Sequence, residues 1–272
     1  MNLISHSTNS LSGDVICPGD KSISQRILII GSLLNCSMEV DGFLDAHDPN
    51  STLDALNKIG AEIRKKGQKV FLNQRNIPFK NPLSELNFGN SGTGARLMLG
   101  FISGLGLKTK LVGDSSLSKR PMSRVILPLK QMGVEIDCNN GTLPIFTTNS
   151  DVRDNFKYKM PIASAQVKSC LLLAALASKN NINIFEPKIT RDHTERMIEF
   201  FEGNIKYGNK NNIGEIELKF SNLIPKNYYM VPGDFSSASF IIIATIISKD
   251  SEVLIKNVGL NKTRSGLLEV LS

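Results

Sequence analysis

The chain has 272 residues, 41% of them hydrophobic and 21% charged, with a formal net charge of +7. This is the composition of a soluble globular protein with one large domain or two smaller ones, and no apolar run reaches the roughly 18–20 residues of a membrane-spanning helix. The basic residues are scattered, with no Trp and only four Tyr among them, which is not the footprint of a nucleic-acid binder. An excess of positive charge suits a protein that gathers small anions, although surface solubility accounts for it as readily.

Taken in chain order, a short strand ends at Cys17, turns at Pro18-Gly19 and opens a helix with Lys21, Ser22 and Ser24. An amphipathic helix, LDALNKIGAEI, follows and is stopped by Gly60, with a hairpin pattern in KKGQKVFLN. A glycine-rich turn, GNSGTGAR from Gly89, opens the next apolar helix. The polar loop GDSSLSKRPM then carries Lys119 and Arg120, and Pro121 is expected to start a helix that runs to Gly133 before the hairpin CNNGTLPIF. A third apolar helix opens at ASAQVK, and TRDHTE leads an amphipathic helix toward Gly203 and the hairpin GNKNNIGEIELKF. Last come VPGDFSSASF, opening a fourth apolar helix, and TRSGLLEVLS, which reads as the start of another.

This order is a repeat. With Ser22, Ser91, Ser164 and Ser236 as markers the spacings are 69, 73 and 72, and Gly60, Gly133 and Gly203 are spaced by 73 and 70. Each unit reads as strand, helix, strand, helix, hairpin, and each glycine is expected to be a left-handed helix cap. Three complete units are expected between Cys17 and Val231, with a fourth begun at Val231. The next capping glycine falls due just beyond Ser272, so the chain is expected to stop inside a helix of the fourth unit. The four cysteines, Cys17, Cys36, Cys138 and Cys170, form no C-x-x-C pair, which points to reduced thiols in a cytoplasmic protein. Neither a signal peptide nor a metal site has support, since the start has no basic flank and the three histidines form no HExxH.

The chemistry gathers at the helix starts. The helix opening at Lys21 offers backbone N–H groups, a mobile ammonium and, one turn on, the planar fork of Arg26, all suited to an anion; an ordinary capped helix with exposed basic residues has the same spacing. Gly89-Asn90-Ser91-Gly92-Thr93-Gly94 allows close backbone approach, but it is neither a P-loop nor a dinucleotide fingerprint, and tight helix packing explains it equally. Ser164 can cap its helix or donate to a phosphate there, and Gln166 offers a donor and an acceptor. Thr190 or Asp192 can cap the last of these helices, with Glu195 closing a capping box on Asp192; Arg191 projects just before it, and His193 reads as an exposed first-turn residue.

In order, PGDKSISQR, GNSGTGAR, GDSSLSKRPM, ASAQVK, TRDHTE and VPGDFSSASF resemble the enolpyruvylshikimate-phosphate synthase family, in the class that carries SAQVK and RDHTE. The resemblance runs from about Cys17 to the last residue. It implies an α/β (α+β) enolpyruvyl transferase fold of repeated βαβαββ units around a pseudo-threefold axis, as one complete domain plus part of a second. Residues 1–17 would belong to a split domain, 18–231 to the complete three-repeat domain, and 232–272 to the first part of the split domain. The implied reaction moves the enolpyruvyl group of phosphoenolpyruvate to the 5-hydroxyl of shikimate 3-phosphate, in the cytoplasm, typically by a monomer, and without a metal or organic cofactor.

The resemblance also implies roles. Lys21 would be catalytic, lying between both substrates. Ser22, Arg26, Ser164, Ala165, Gln166 and Arg191 would surround shikimate 3-phosphate, with Ala165 standing where many members have a second serine. Asn90, Gly92 and Arg120 would form part of the phosphoenolpyruvate site, and Gly92 implies sensitivity to glyphosate. The family's catalytic Asp and Glu lie in later repeats, and neither Asp234 nor Glu252 matches them by motif, so this chain alone is expected not to turn over. The related UDP-amino-sugar enolpyruvyl transferases fit less well, since they carry Lys-Asn after the first strand and a cysteine in the loop matching 113–120. A non-catalytic module binding shikimate phosphate is the other alternative.

Overall fold

The computed structural model describes residues 4, 8–148, 151–210 and 213–272. Residues 1–3 and 5–7 of the expected N-terminal segment, and residues 211–212 at the turn of the third expected hairpin, lie outside the described residues.

Strand β1 (Ser12–Ile16) leads into α1 (Lys21–Leu34), β2 (Met38–Asp41), α2 (His47–Lys58) and the hairpin β3 (Glu62–Lys66) and β4 (Lys69–Asn73). The second unit holds β5 (Leu86–Asn87), α3 (Gly92–Gly104), β6 (Thr109–Val112), a 3-10 turn at Leu117–Lys119, α4 (Ser123–Gln131), β7 (Ile136–Cys138) and β8 (Ile145–Thr147). The third holds β9 (Phe156–Lys159), α5 (Ala165–Ser178), β10 (Ile182–Glu186), α6 (His193–Phe200), β11 (Ile205–Lys210) and β12 (Ile213–Leu218). The chain continues through β13 (Tyr228–Met230), α7 (Phe235–Ile247), β14 (Glu252–Lys256) and α8 (Gly266–Leu271).

Three four-stranded sheets share one plan among the described residues: β5-β6-β8-β7, β9-β10-β12-β11 and β13-β2-β4-β3. In each, the first two strands are parallel and the last two form an antiparallel hairpin turned against them. A parallel pair cannot be joined by a tight turn and needs a crossover, which α3 and α5 supply in the second and third units. In the sheet of the first unit the leading strand is not β1 but β13, which pairs with β2 from 189 residues further along (Tyr228 with Glu39). The strand before α1 pairs instead with β14, Ser12 opposite Glu252. The first unit as read along the chain therefore borrows its opening strand from beyond the third.

Helices α1, α3 and α5 are buried almost all round and form the centre of a single contiguous core. Helices α3 and α5 approach so closely that Gly100 and Gly104 face the backbone of Cys170 and Ala174 with no room for a side chain. Helices α2, α4 and α6 are amphipathic and cover the outside. Gly60 and Gly133 take the expected left-handed caps, with φ of +101° and +100°. In the third unit that conformation falls on Glu202 (φ 58°) instead, and Gly203 is there because a side chain would strike Ile198 and Leu223. Pro121 stands two residues ahead of α4, which begins at Ser123 behind the 3-10 turn. Helices α7 and α8 depart from this burial: Phe240 and Ile247 of α7 are 79% and 78% exposed, and α8 has no buried residue.

Candidate anion-binding site

At the start of α1, Asp20 is the cap; its Oδ1 accepts from the N–H of Ile23 at 2.9 Å. Lys21, half exposed, reaches back to Asp48 Oδ2 at 3.1 Å. Ser22 Oγ accepts from Arg191 Nη1 at 2.5 Å, which joins two predicted site residues 169 positions apart. Arg26 lies behind Ser22, only 1% exposed: Nη1 donates to Ser22 O (3.0 Å), Nε to Thr194 Oγ1 (2.7 Å) and Nη2 to Ser169 Oγ (2.9 Å). It thereby ties α1 to α5 and α6 from within.

At the start of α3, Ser91 Oγ accepts from the N–H of Gly94 and from Gln25 Nε2 (2.8 Å), fastening α3 to α1. Asn90 Oδ1 accepts from Arg120 Nη2, while its amide donates to Asp114 Oδ2 at 2.9 Å. Gly92 lies beneath two guanidiniums: a Cβ there would be 3.0 Å from Arg96 Nη1 and 3.3 Å from Arg120 Nη1. Arg96, 5% exposed, binds three segments together. Its Nη1 donates to Gly92 O and to Gln166 Oε1, both at 3.2 Å, and its Nη2 to Pro121 O at 3.0 Å. Gln166 answers with a bond from Nε2 to Thr93 Oγ1 (3.1 Å). Asn90, Gly92, Arg120 and Gln166 are thus one constellation, and Arg96 is the residue that makes it so.

At the start of α5, Ser164 caps the helix, its Oγ 3.4 Å from the N–H of Val167, and Ala165 follows with no polar group to offer. The capping box expected at α6 does not form. Asp192 accepts instead from Arg196 Nε (2.8 Å), Asn261 Nδ2 (2.6 Å) and Thr263 Oγ1 (3.1 Å). Glu195 turns inward and sits 2.7 Å from Lys168 Nζ, both buried, so its carboxylate pairs with a buried ammonium that would otherwise be left uncompensated. Burial also pushes the Glu195 carboxyl up, with Lys168 opposing. His193 is buried rather than exposed, and burial, with Arg26 and Arg191 adding to it, pushes its pKa down to about 3, so the imidazole is neutral.

The electrostatics mark two places for negative charge. Arg96 is pushed down to about 10, first by burial and then by the nearby charges of Arg124 and Arg120. Arg26 is likewise pushed down to about 10 by burial and then by Arg191. The carboxylates of Glu195 and Asp20 offset this at Arg26, and those of Asp20 and Asp234 at Arg191, but burial still outweighs them, and a bound anion would relieve the crowding further. Lys21 does not touch either cluster in this arrangement, being paired with Asp48. Sequence reading missed Arg96, Gln25 and Lys168; each stood inside a quoted motif, but its partners are far away along the chain. Among the described residues no group of three His, Cys, Asp or Glu could hold a metal, and no helix is long and apolar enough to cross a membrane.

Residues 6–272 match the family model described as EPSP synthase (3-phosphoshikimate 1-carboxyvinyltransferase). The 3-phosphoshikimate 1-carboxyvinyltransferase of Shouchella clausii is 41% identical over 271 residues, covering 99% of this chain and 62% of the relative. That of Petrotoga mobilis is 43% identical over 268 residues, 97% of this chain and 61% of the relative. A solved structure of EPSP synthase from Acinetobacter baumannii superposes with a TM-score of 0.88 at 36% identity, over 97% of this chain and 60% of that one. The chain thus spans about three fifths of the length of the relatives it matches.

Proposed function

The chain belongs to the EPSP synthase family, and on that premise we propose that it binds shikimate 3-phosphate and phosphoenolpyruvate for enolpyruvyl transfer. The observation that carries the proposal is the pair of guanidinium clusters at the helix starts: Arg191 with Arg26 around Ser22, and Arg96 with Arg120 around Gly92. Two separate but linked anion sites suit two anionic substrates that must meet.

In this reading Ser22, Arg191, Ser164 and Gln166 hold shikimate 3-phosphate, with Arg26 fixing Ser22 from behind. Asn90, the Gly92 backbone and Arg120 hold phosphoenolpyruvate. Lys21 leaves Asp48 to lie between the two. Protonation of the enol carbon of phosphoenolpyruvate makes C2 electrophilic, and the 5-hydroxyl adds there to form a C–O bond while losing its proton. Elimination then breaks the C–O bond to phosphate and releases a proton from the methyl group, restoring the C=C bond as that of an enol ether. The cations hold charge where it gathers, a preorganised electrostatic contribution that needs no metal or organic cofactor. The acid–base carboxylates have no match in these residues: Asp234 caps α7 by accepting from the N–H of Ser236, and Glu252 lies on β14. We therefore expect substrate binding without turnover, from residues 18–231, in a cytoplasmic monomer.

The test is a calorimetric titration of shikimate 3-phosphate into this chain. Saturable binding that is lost in Arg191→Ala supports the reading. A folded protein that takes no heat with shikimate 3-phosphate sinks it, and phosphate release from both substrates together refutes the absence of turnover.

A further inference from the structure

Three ionisable side chains, Lys168, Glu186 and Glu195, are buried to 1–2% exposure in one cluster away from the proposed substrate contacts. Lys168 Nζ lies 3.0 Å from Glu186 Oε1 and 2.7 Å from Glu195 Oε1. Burying such charges is weak evidence for stability, because an apolar replacement of the same volume often serves as well; the better-attested use is to fix one geometry. The geometry fixed here is that of Thr190. Glu186 Oε2 accepts from Thr190 Oγ1 at 2.7 Å, Glu186 Oε1 from the Thr190 N–H at 3.2 Å, and Lys168 Nζ donates to the Thr190 carbonyl at 3.3 Å. All three polar groups of that residue are held by two buried side chains. Space is kept for this: Gly214 faces Glu186 across the β10–β12 ladder, and a Cβ there would be 2.5 Å from Glu186 Cγ.

The next residue is Arg191, whose Nη1 reaches Ser22 Oγ while its Nε is buried without a hydrogen-bond partner among the described residues. Elsewhere in the loop from the end of β10 to the start of α6, Lys188 and Ile189 are exposed, and the next anchor is Asp192, held by Arg196, Asn261 and Thr263. We propose that Lys168 and Glu186 are positioning residues that clamp Thr190 and so aim the Arg191 guanidinium at the anion site before any ligand arrives. The importance of this for binding rests on the function proposed above, in which Arg191 meets the phosphate; the clamp itself does not. Preorganisation matters because a free arginine side chain must lose its rotamer freedom on binding, and a clamped one has already lost it.

The test reads the guanidinium directly. The Arg191 Nε–Hε resonance, assigned in the wild-type chain by its loss in Arg191→Ala, is compared in Thr190→Val, Thr190→Ser and Glu186→Gln. Thr190→Val removes one clamp bond and leaves the buried charges paired, so it is the decisive variant if Glu186→Gln does not fold. The expected result is a sharp, slowly exchanging resonance in the wild type and in Thr190→Ser, broadened or lost in Thr190→Val. The dissociation constant for shikimate 3-phosphate should then rise about tenfold in Thr190→Val, the effect of one charge-assisted hydrogen bond, and stay near the wild-type value in Thr190→Ser. An unchanged resonance in Thr190→Val overturns the proposal, as does wild-type affinity in that variant. If the wild type binds no shikimate 3-phosphate, the functional reading fails while the resonance still decides the clamp.

Discussion

Adding a methyl group at Gly100 sets two effects of known size against each other. In a helix interior, Gly→Ala should stabilise by about 1 kcal/mol, because glycine gives up more backbone freedom on folding. Here, however, the new carbon would lie 2.8 Å from the Cys170 carbonyl carbon and 2.9 Å from its Sγ, and closer still to the carbonyl oxygen. Carbon atoms rest about 3.5–4.0 Å apart, so α3 and α5 must separate by roughly 1 Å, and a backbone carbonyl cannot rotate out of the way. Overpacking of this kind costs about 1–3 kcal/mol, and with an immovable backbone carbonyl as the obstacle the upper half of that range, about 2–3 kcal/mol, applies, so it should win. Urea unfolding of Gly100→Ala should show a net loss of about 1–2 kcal/mol at constant m-value, whereas Gly266→Ala, which meets nothing within 4 Å, should not lose stability. Gly104→Ala meets Ala174 and Ala177 in the same seam, so the double variant should lose less than the sum: one separation accommodates both methyls. The same movement would draw Arg96 on α3 away from Gln166 on α5, now 3.2 Å apart, and weaken ligand binding as well. A Gly100→Ala protein as stable as its parent would refute the close crossing on which the site is built.

Gly92→Ala should keep the fold, since the contacts at 3.0 and 3.3 Å are to side-chain ends and not to backbone, but should weaken phosphoenolpyruvate binding about tenfold in a titration at saturating shikimate 3-phosphate by crowding the hydrogen-bonded Arg96 and pushing aside Arg120. His193 is neutral in the folded state at any pH well above about 3 but takes a proton in the unfolded chain below about 6.5, so it contributes stability above pH 6.5 that is lost on acidification. Urea unfolding at pH 7 and pH 5 should therefore show a shallower acid loss in His193→Gln, by up to about 1.4 kcal/mol per pH unit. Cys170, whose thiol burial pushes up to about 12, should resist a thiol reagent in the native protein and react only on unfolding, whereas the half-buried Cys36 and Cys138 should react first.

Much was legible along the chain because its causes are local. Apolar periodicity marks α1, α3 and α5, glycine marks the left-handed caps at Gly60 and Gly133, and the six motifs in order carried the resemblance on which the proposed site residues rest. A cap or a helix face is decided by residues within four positions, and one sequence displays those. What only the tertiary structure decided lies between positions far apart. The resemblance assigned residues 1–17 and 232–272 to one split domain, but nothing in SGDVI itself names β14 as the partner of β1 or β13 as the strand beside β2, because strand partners are chosen by non-local pairing and not by period. Glu195 has the spacing of a capping box but turns to Lys168, since a buried ammonium left without a carboxylate would be strongly destabilising. Arg26 and Arg120 look alike as letters, yet one is sealed behind Ser22 and the other stands with Asn90 over Gly92. Charge, spacing and local turns are sequence properties, whereas burial and the partner that makes it tolerable belong to the fold.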